Sequence, residues 1–442
     1  MALKKRIFFL PIFIALIFAC NKKTKNKLSG ESYLSFTKNG AWCWFSDPRA
    51  IYFKGQHRRT YAGWVDSLGN IMAGYYDHDL KTIKTKLLHK QLEIDDHDNP
   101  SLFIDKEGKL MIFYSKHAST EPIYMVKGKN AEDISEWEKT ATLKLNDTIA
   151  YPGLSDTYTY TNVCQLANEK NKLYLFWRGA DFKPNFSVSH DNGKTWSRGK
   201  ILILPERIYK DRRPYLKLAS NNRDVIHFAF TDGHPNAEKT NSIYYSKYRN
   251  GALYKANGAK ITDWSALPIQ PNLTDIVYDA TRSNEKAWIW DVAENTQGDP
   301  VIVYSRFPND SNHVYYYSVW NNNQWNNYKL VNSGGWFPQT PKGKTEREPN
   351  YSGGIVLDHE DPSIIYLSRL KNTKFEIEKW TTPNKGKDWI IEEVTTNSEN
   401  NNVRPFVIRN YSRQDSLKLL WMNVKEYIHY TDYQTSIKMN IK

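Results

Sequence analysis

One hairpin pattern recurs seven times along this 442-residue chain. Each copy has an outgoing run of β-branched and aromatic residues, a turn rich in Gly, Asn, Asp or Pro, and an apolar return, which together are a strand-pair signature. The copies open at Arg49-Ala-Ile-Tyr-Phe, Asp98-Asn-Pro-Ser-Leu-Phe-Ile-Asp, Tyr158-Thr-Tyr-Thr-Asn, Arg213-Pro-Tyr-Leu, Ala287-Trp-Ile-Trp, Tyr351-Ser-Gly-Gly-Ile-Val and Val403-Arg-Pro-Phe-Val. Their turn centres lie roughly 50 to 75 residues apart, and self-similarity on one scale marks a repeat architecture. Runs such as Ser242-Ile-Tyr-Tyr-Ser and Val314-Tyr-Tyr-Tyr-Ser lie between copies and give each repeat room for four strands. No segment sustains a 3.6-residue apolar period ending in helix caps. The expectation is an all-β fold, a seven-bladed β-propeller closing as a single domain over residues 39–442.

A second motif agrees. Ser189-His-Asp191-Asn-Gly193-Lys-Thr195-Trp196 matches the Asp-box, and Asn384-Lys-Gly-Lys-Asp-Trp389 is a degraded copy. Its Asp caps a tight turn, and its Gly takes a backbone conformation that few residues tolerate. The motif is read as structural.

The first residues, Met-Ala-Leu-Lys-Lys-Arg, precede an apolar run from Ile7 to Phe18 and then Ala19-Cys20. A basic end, a short apolar run and a small residue before Cys make a bacterial lipoprotein signal peptide over residues 1–20. Cys20 is then the lipidation site. Residues 21–38, rich in Lys and Asn, read as a flexible tether. This predicts an exported protein, anchored by its N-terminal lipid to a bacterial membrane, most simply the outer one, on its periplasmic or outer face. Cys43 and Cys164 remain, enough for one disulfide but not evidence of one. The formal net charge is +13, which points to an anionic partner. For an exported chain that partner is a sulfated or uronic-acid polysaccharide, with no role for nucleic acid. The protein is expected to be a monomer.

Two hairpins carry paired polar groups. In the second, His97 and His117 are equidistant from the turn at Glu107; in the third, Tyr160 and Arg178 are equidistant from Glu169. Residues directly opposite on one face have Cβ atoms roughly 4.5–5.5 Å apart. Arg178 ends a strongly apolar strand, where an unpaired guanidinium is costly, so it needs a carboxylate from the protein or from a substrate. Together these groups fit β-elimination from a uronic acid. An arginine neutralises the carboxylate and stabilises the developing enolate, while histidine and tyrosine act as base and acid. The sequence leaves open which of His97, His117 and Tyr160 does which. Asn99, Asn162, Trp177, Arg212 and Arg213 flank these residues and are candidate substrate contacts, although Arg212 also aligns with Asp232 as an ion pair. The chemistry needs no cofactor. Asp232, His234, Asp291, His313 and His359, on successive repeats, are read as a candidate structural zinc or calcium site, without a known ligand spacing.

At these residues the chain resembles the Asp-box propellers that include ulvan lyases of polysaccharide lyase families PL24 and PL25. The resemblance runs from Trp42 to Val407 through Asp-His-Asp-Asn-Pro-Ser-Leu, Tyr-Ser-Lys-His, Tyr-Thr-Tyr-Thr-Asn, Leu-Phe-Trp-Arg-Gly, Arg-Arg-Pro-Tyr and Tyr-Ser-Gly-Gly-Ile-Val. It implies a site in the propeller's central canyon made by His97, His117, Tyr160 and Arg178, with Tyr158 as a fallback for the tyrosine. It also implies ulvan, a sulfated rhamnose–uronate polymer, as substrate. Two rivals stand beside it. A sialidase-like hydrolase needs three arginines on one carboxylate, for which Arg49, Arg306 and Arg369 are available. A non-catalytic glycan-binding lipoprotein would bind saturably without depolymerisation.

Overall fold

Alternating apolar strands separated by Asx-type turns have one way to bury both faces of every sheet, and the computed structural model shows it: a ring of seven sheets. The structure describes residues 33–206 and 212–441. Each of the seven hairpins forms the two inner strands of one blade. Blade 2, for example, is Ser101–Ile104, Leu110–Tyr114, Ile123–Lys127 and Ala141–Leu143, and blade 3 is Thr159–Leu166, Lys172–Arg178, Pro184–Ser189 and Lys200–Ile201. Blade 4 is enlarged to six strands, and the one α-helical turn among the described residues is Ala280–Ser283.

The ring closes through the N-terminal strand. Ser35–Thr37 is the outermost strand of blade 7, paired antiparallel to Asp432–Met439, with Phe36 buried. Residues 33–38 are therefore part of the propeller, which corrects the expected tether. The pairing won over the polar composition because it covers an open sheet edge. The expected signal peptide over residues 1–20, its Cys20 and residues 21–32 lie outside the described residues. Cys43 and Cys164 are buried free thiols.

Local chemistry explains the turns. At the blade 2 hairpin, Asp105 Oδ1 accepts from the backbone N–H of Glu107 and Lys109 at 3.0 and 2.9 Å, and Gly108 takes φ +82°. In the Asp-box, Asp191 accepts from Thr195 N at 2.9 Å while Ser189 Oγ accepts from Gly193 N at 2.9 Å. Its Trp196 reaches blade 2, edge-on to Phe113. Such apolar clusters fill each gap between blades, and every fully buried Leu, Val or Phe there contributes about 1.5–3 kcal/mol.

Residues 41–49 form a plug that the hairpin pattern does not announce. This segment enters the central channel before blade 1 and is almost wholly buried. Trp44 stacks on Trp290 at 4.2 Å and meets Trp288 and Tyr351 edge-on, and its indole N–H donates to Ile289 O. Lys217 of blade 4 ties the plug down through Trp44 O and Asp47. The plug splits the channel in two. On one side lies a cavity of about 270 Å³ floored by Cys43, Trp44 and Phe45; on the other lies one of about 590 Å³ beginning at Asp47 and Pro48.

Candidate active site

The smaller cavity holds the candidate acid–base groups. Asp95 precedes a single 3-10 turn, Asp96–Asp98, that carries His97. The ladder Ser101↔Phe113 to Ile104↔Leu110, continued outward, sets His97 against His117, and the two rings stack at 4.2 Å and 14°. Asp95 locks both. Its Oδ1 accepts from His97 N at 2.8 Å and lies 2.6 Å from His97 Nδ1, while its Oδ2 lies 2.9 Å from His117 Nδ1. Both Nδ1 atoms therefore donate, which leaves Nε2 as the second nitrogen of each ring; that of His97 lies 3.1 Å from Tyr351 Oη. Tyr430 closes over the pair edge-on, at 4.6 and 5.4 Å.

The shared carboxylate makes the two imidazoles unlike. Burial opposes charge on His97, but Asp95 beside it outweighs this and holds its pKa well above the usual value. Burial and the neighbouring charge on His97 push His117 down to about 4. At neutral pH, His97 is an imidazolium and His117 a neutral ring with a free Nε2 lone pair. His234 is likewise neutral, pushed down to about 3 by burial and by Arg178.

Blade 3 delivers the other wall. The sequence set Tyr160 directly opposite Arg178; the structure corrects this by one residue. Arg178 pairs with Thr159, and a bulge between Thr159 and Asn162 holds Tyr160 at φ +56°. Bulges re-aim side chains at sheet ends, and here the Tyr160 ring lies under the Arg178 guanidinium at 4.7 Å. Arg178 Nη1 donates to Tyr215 Oη at 2.7 Å, Nη2 reaches Thr159 Oγ1 at 3.4 Å, and the buried Nε has no partner. Among the described residues no carboxylate pairs with it. Arg213 stacks on Phe182 at 4.0 Å at the cavity rim.

The fallback Tyr158 is spent elsewhere: its hydroxyl accepts from Leu145 N and Asn146 N. Three proposed substrate contacts are structural. Asn99 holds Cys43 N and Ser46 O, Asn162 holds Asp47 N and Phe45 O, and Trp177 donates to Asn146. Two of them pin the plug, a role their sequence neighbours do not reveal. Arg212 is paired with Asp232 at 2.9 Å and Glu238 at 3.3 Å.

The proposed metal set is not assembled. His234 lines the small cavity against Trp288. Asp291 pairs with His359, which opens onto the other chamber. His313 is buried within blade 5 against Phe307, and Asp232 is held by Arg212. Consecutive blades put these side chains at different depths. Two other groups of ligand-type atoms lie close together, Cys43–Asp96–His97 and Asp95–His97–His117, but both centre on His97, whose Nδ1 is committed to Asp95. The three arginines of the hydrolase reading also stay apart, each neutralised: Arg49 by Asp47, Arg306 by Glu285, Arg369 by Glu378.

Groups that sequence reasoning missed complete the cavity: Asp95, Tyr215, Trp288, Glu348, Tyr351 and Tyr430. Burial raises the Glu348 carboxyl to about 7, against the opposing pull of His97.

The sequence model of the BNR repeat-containing family matches residues 59–333. No curated protein matches the chain. Among solved structures, two of a PL25 ulvan lyase, one of them bound to -[GlcA(1-4)Rha3S]-, share the fold with TM-scores of 0.69 and 0.68. Each is 16% identical and covers 92% of this chain and 94% of its own.

Proposed function

The chain belongs to the BNR repeat-containing family, and from that premise we propose that it is a polysaccharide lyase cleaving a uronate-containing polymer, ulvan, by β-elimination. One observation carries the reading: Arg178, buried and without a protein carboxylate, faces the same cavity as two histidines locked by one aspartate. A buried cation in that state is stabilised by an anion, and a uronate carboxylate is an anion of the right size and charge.

With the carboxylate on Arg178, negative charge developing on the enolate is stabilised where it forms. His117 takes the C5 proton at Nε2, because it is the imidazole that stays neutral. Tyr215 orients the guanidinium, and Trp288 and Tyr430 supply apolar faces for sugar rings. Basic charge on the protein, +13 overall, and the exposed Arg213 suit a sulfated polymer. The solved ulvan lyase bound to -[GlcA(1-4)Rha3S]- supports the same substrate class. Export and lipid attachment at Cys20 belong to this proposal, since a large polysaccharide is met outside the cell; labelling with a palmitate analogue, lost in Cys20→Ala, checks it.

The test is ultraviolet absorbance of the unsaturated uronate while the protein acts on ulvan, with His117→Ala and Arg178→Ala alongside. A rise in the wild type that both variants abolish is expected. Saturable binding with neither a rise nor new reducing ends would make it a glycan-binding propeller instead.

A further inference from the structure

His97 has no task in the steps above, yet it is built as carefully as His117. Its Nδ1 is held by Asp95, and its Nε2 lies 3.1 Å from the hydroxyl of Tyr351, on the far side of the ring. Tyr351 lines the cavity and is fixed by Trp44 edge-on and Phe337 stacked at 6.2 Å. His97 is the one hydrogen-bond partner of its hydroxyl among the described residues. When Nε2–H donates to the Tyr351 oxygen, the phenolic hydrogen has no protein acceptor and is free to point into the cavity.

We propose that Tyr351, backed by the imidazolium of His97, is the group that protonates the departing oxygen, so that the two stacked imidazoles exchange charge across Asp95 in each turnover. This rests on the lyase reading. The C5–H bond breaks and its proton goes to His117 Nε2, while its electron pair forms the C4=C5 double bond. The C4–O bond breaks with its pair on the glycosidic oxygen. That oxygen takes the Tyr351 proton as Tyr351 takes the Nε2 proton of His97. His117 ends as the imidazolium and His97 as the neutral ring, both still on Asp95. After product leaves, His117 loses a proton to water and His97 regains one. Net charge around Asp95 is the same before and after the elimination step, which suits a site walled by aromatic rings. Asp95, Asp96, Cys43, His117, Tyr160, Glu348, Arg404, Tyr427 and Tyr430 are the titratable and charged groups facing this relay. Burial keeps the Tyr351 phenol well above its ordinary pKa, so it passes a proton without resting as phenolate. Tyr160, which lines the same cavity and whose hydroxyl donates no hydrogen bond among the described residues, is the competing acid.

The experiment follows both half-reactions in D₂O for wild type, Tyr351→Phe, His97→Gln and Tyr160→Phe. It reads kcat and KM by ultraviolet absorbance, and deuterium uptake at the uronate C5 of recovered substrate by NMR. Loss of a general acid lowers kcat by about 10²-fold or more and leaves the base working. Tyr351→Phe and His97→Gln are expected to lose kcat to that extent, keep KM within about twofold, and acquire C5 deuterium. Tyr351→Phe with wild-type kcat, or this signature in Tyr160→Phe alone, overturns the relay while leaving the lyase intact. Wild type with neither elimination nor exchange overturns the lyase reading and the relay with it.

Discussion

Two buried arginines face each other across the plug and have opposite fates. Arg404, on the inner strand of blade 7, and Arg178, on the second strand of blade 3, are both buried and ringed by aromatic residues. Arg404 sits at a bulge with φ +50° and has a protein carboxylate for its charge, although its Nε, like that of Arg178, has no partner. Its Nη1 donates to Asp96 Oδ2 at 2.5 Å and Trp42 O at 2.6 Å, and its Nη2 donates to Tyr427 Oη at 3.1 Å. Arg178 has one good hydrogen bond, to a neutral phenol. A cation costs about the same to bury in either place, so the protein has supplied the counter-charge in one and withheld it in the other. Arg404 is architecture that clamps the plug to the histidine turn; Arg178, on the lyase proposal, takes its counter-charge from a substrate carboxylate.

Exchanging their consequences is the sharpest way to break that contrast. Arg178→Ala should lower kcat/KM by about 10³-fold or more, the scale of losing a preorganised anion-stabilising donor. Its thermal unfolding midpoint should stay close to wild type, because no protein anion is abandoned. Arg404→Ala leaves Asp96 buried without its cation and should destabilise by about 3–5 kcal/mol, read by urea denaturation. Equal destabilisation by both substitutions would make Arg178 a structural residue too.

The same contrast separates what the sequence displays from what it hides. Seven hairpins were legible because alternation and Asx turns such as that at Asp105 are local signals. The match of His97 to His117 was legible because the intervening ladder is regular. Tyr160 against Arg178 missed by one residue because a tyrosine in a left-handed bulge carries no mark in the sequence. The middle aspartates of Asp95-Asp-His-Asp98 look alike, yet Asp95 holds the histidines and Asp96 the arginine. Tyr351, Glu348 and Tyr430 reach the cavity from the opposite side of the ring, and contact across a ring leaves no periodic trace. The misplaced metal set failed for the converse reason: successive repeats suggested one depth where the blades provide several.

The pH profile should report the two unlike histidines. His117 must be neutral to act as base, so kcat/KM should climb with pH up to its pKa of about 4 and then level off. Loss of the His97 proton, held well above the ordinary histidine range, should give the descending alkaline limb. Glu348, at about 7, adds a shallower effect. Once ionised it puts a negative charge before a polyanion, with His97, Arg347, Glu346 and Asp96 as its charged surroundings and His429, pushed down by burial, as a titratable neighbour. KM should therefore rise modestly above neutrality, and Glu348→Gln should flatten that rise. An ascending limb near the ordinary histidine pKa would mean that Asp95 does not differentiate the rings.

The smallest effect isolates Arg178 without any chemistry. A saturated uronate such as free glucuronate cannot be cleaved as a polymer, but its carboxylate can sit on Arg178. Binding to the folded state alone stabilises by RT ln(1 + [L]/Kd), about 1.4 kcal/mol at ten times Kd. Glucuronate should raise the unfolding midpoint of the wild type, by a margin that shrinks with added salt as exposed Arg213 is screened. It should leave Arg178→Ala unmoved. An equal rise in that variant would locate the anion at Arg213 on the rim, and the buried guanidinium would then have to be balanced by something other than substrate.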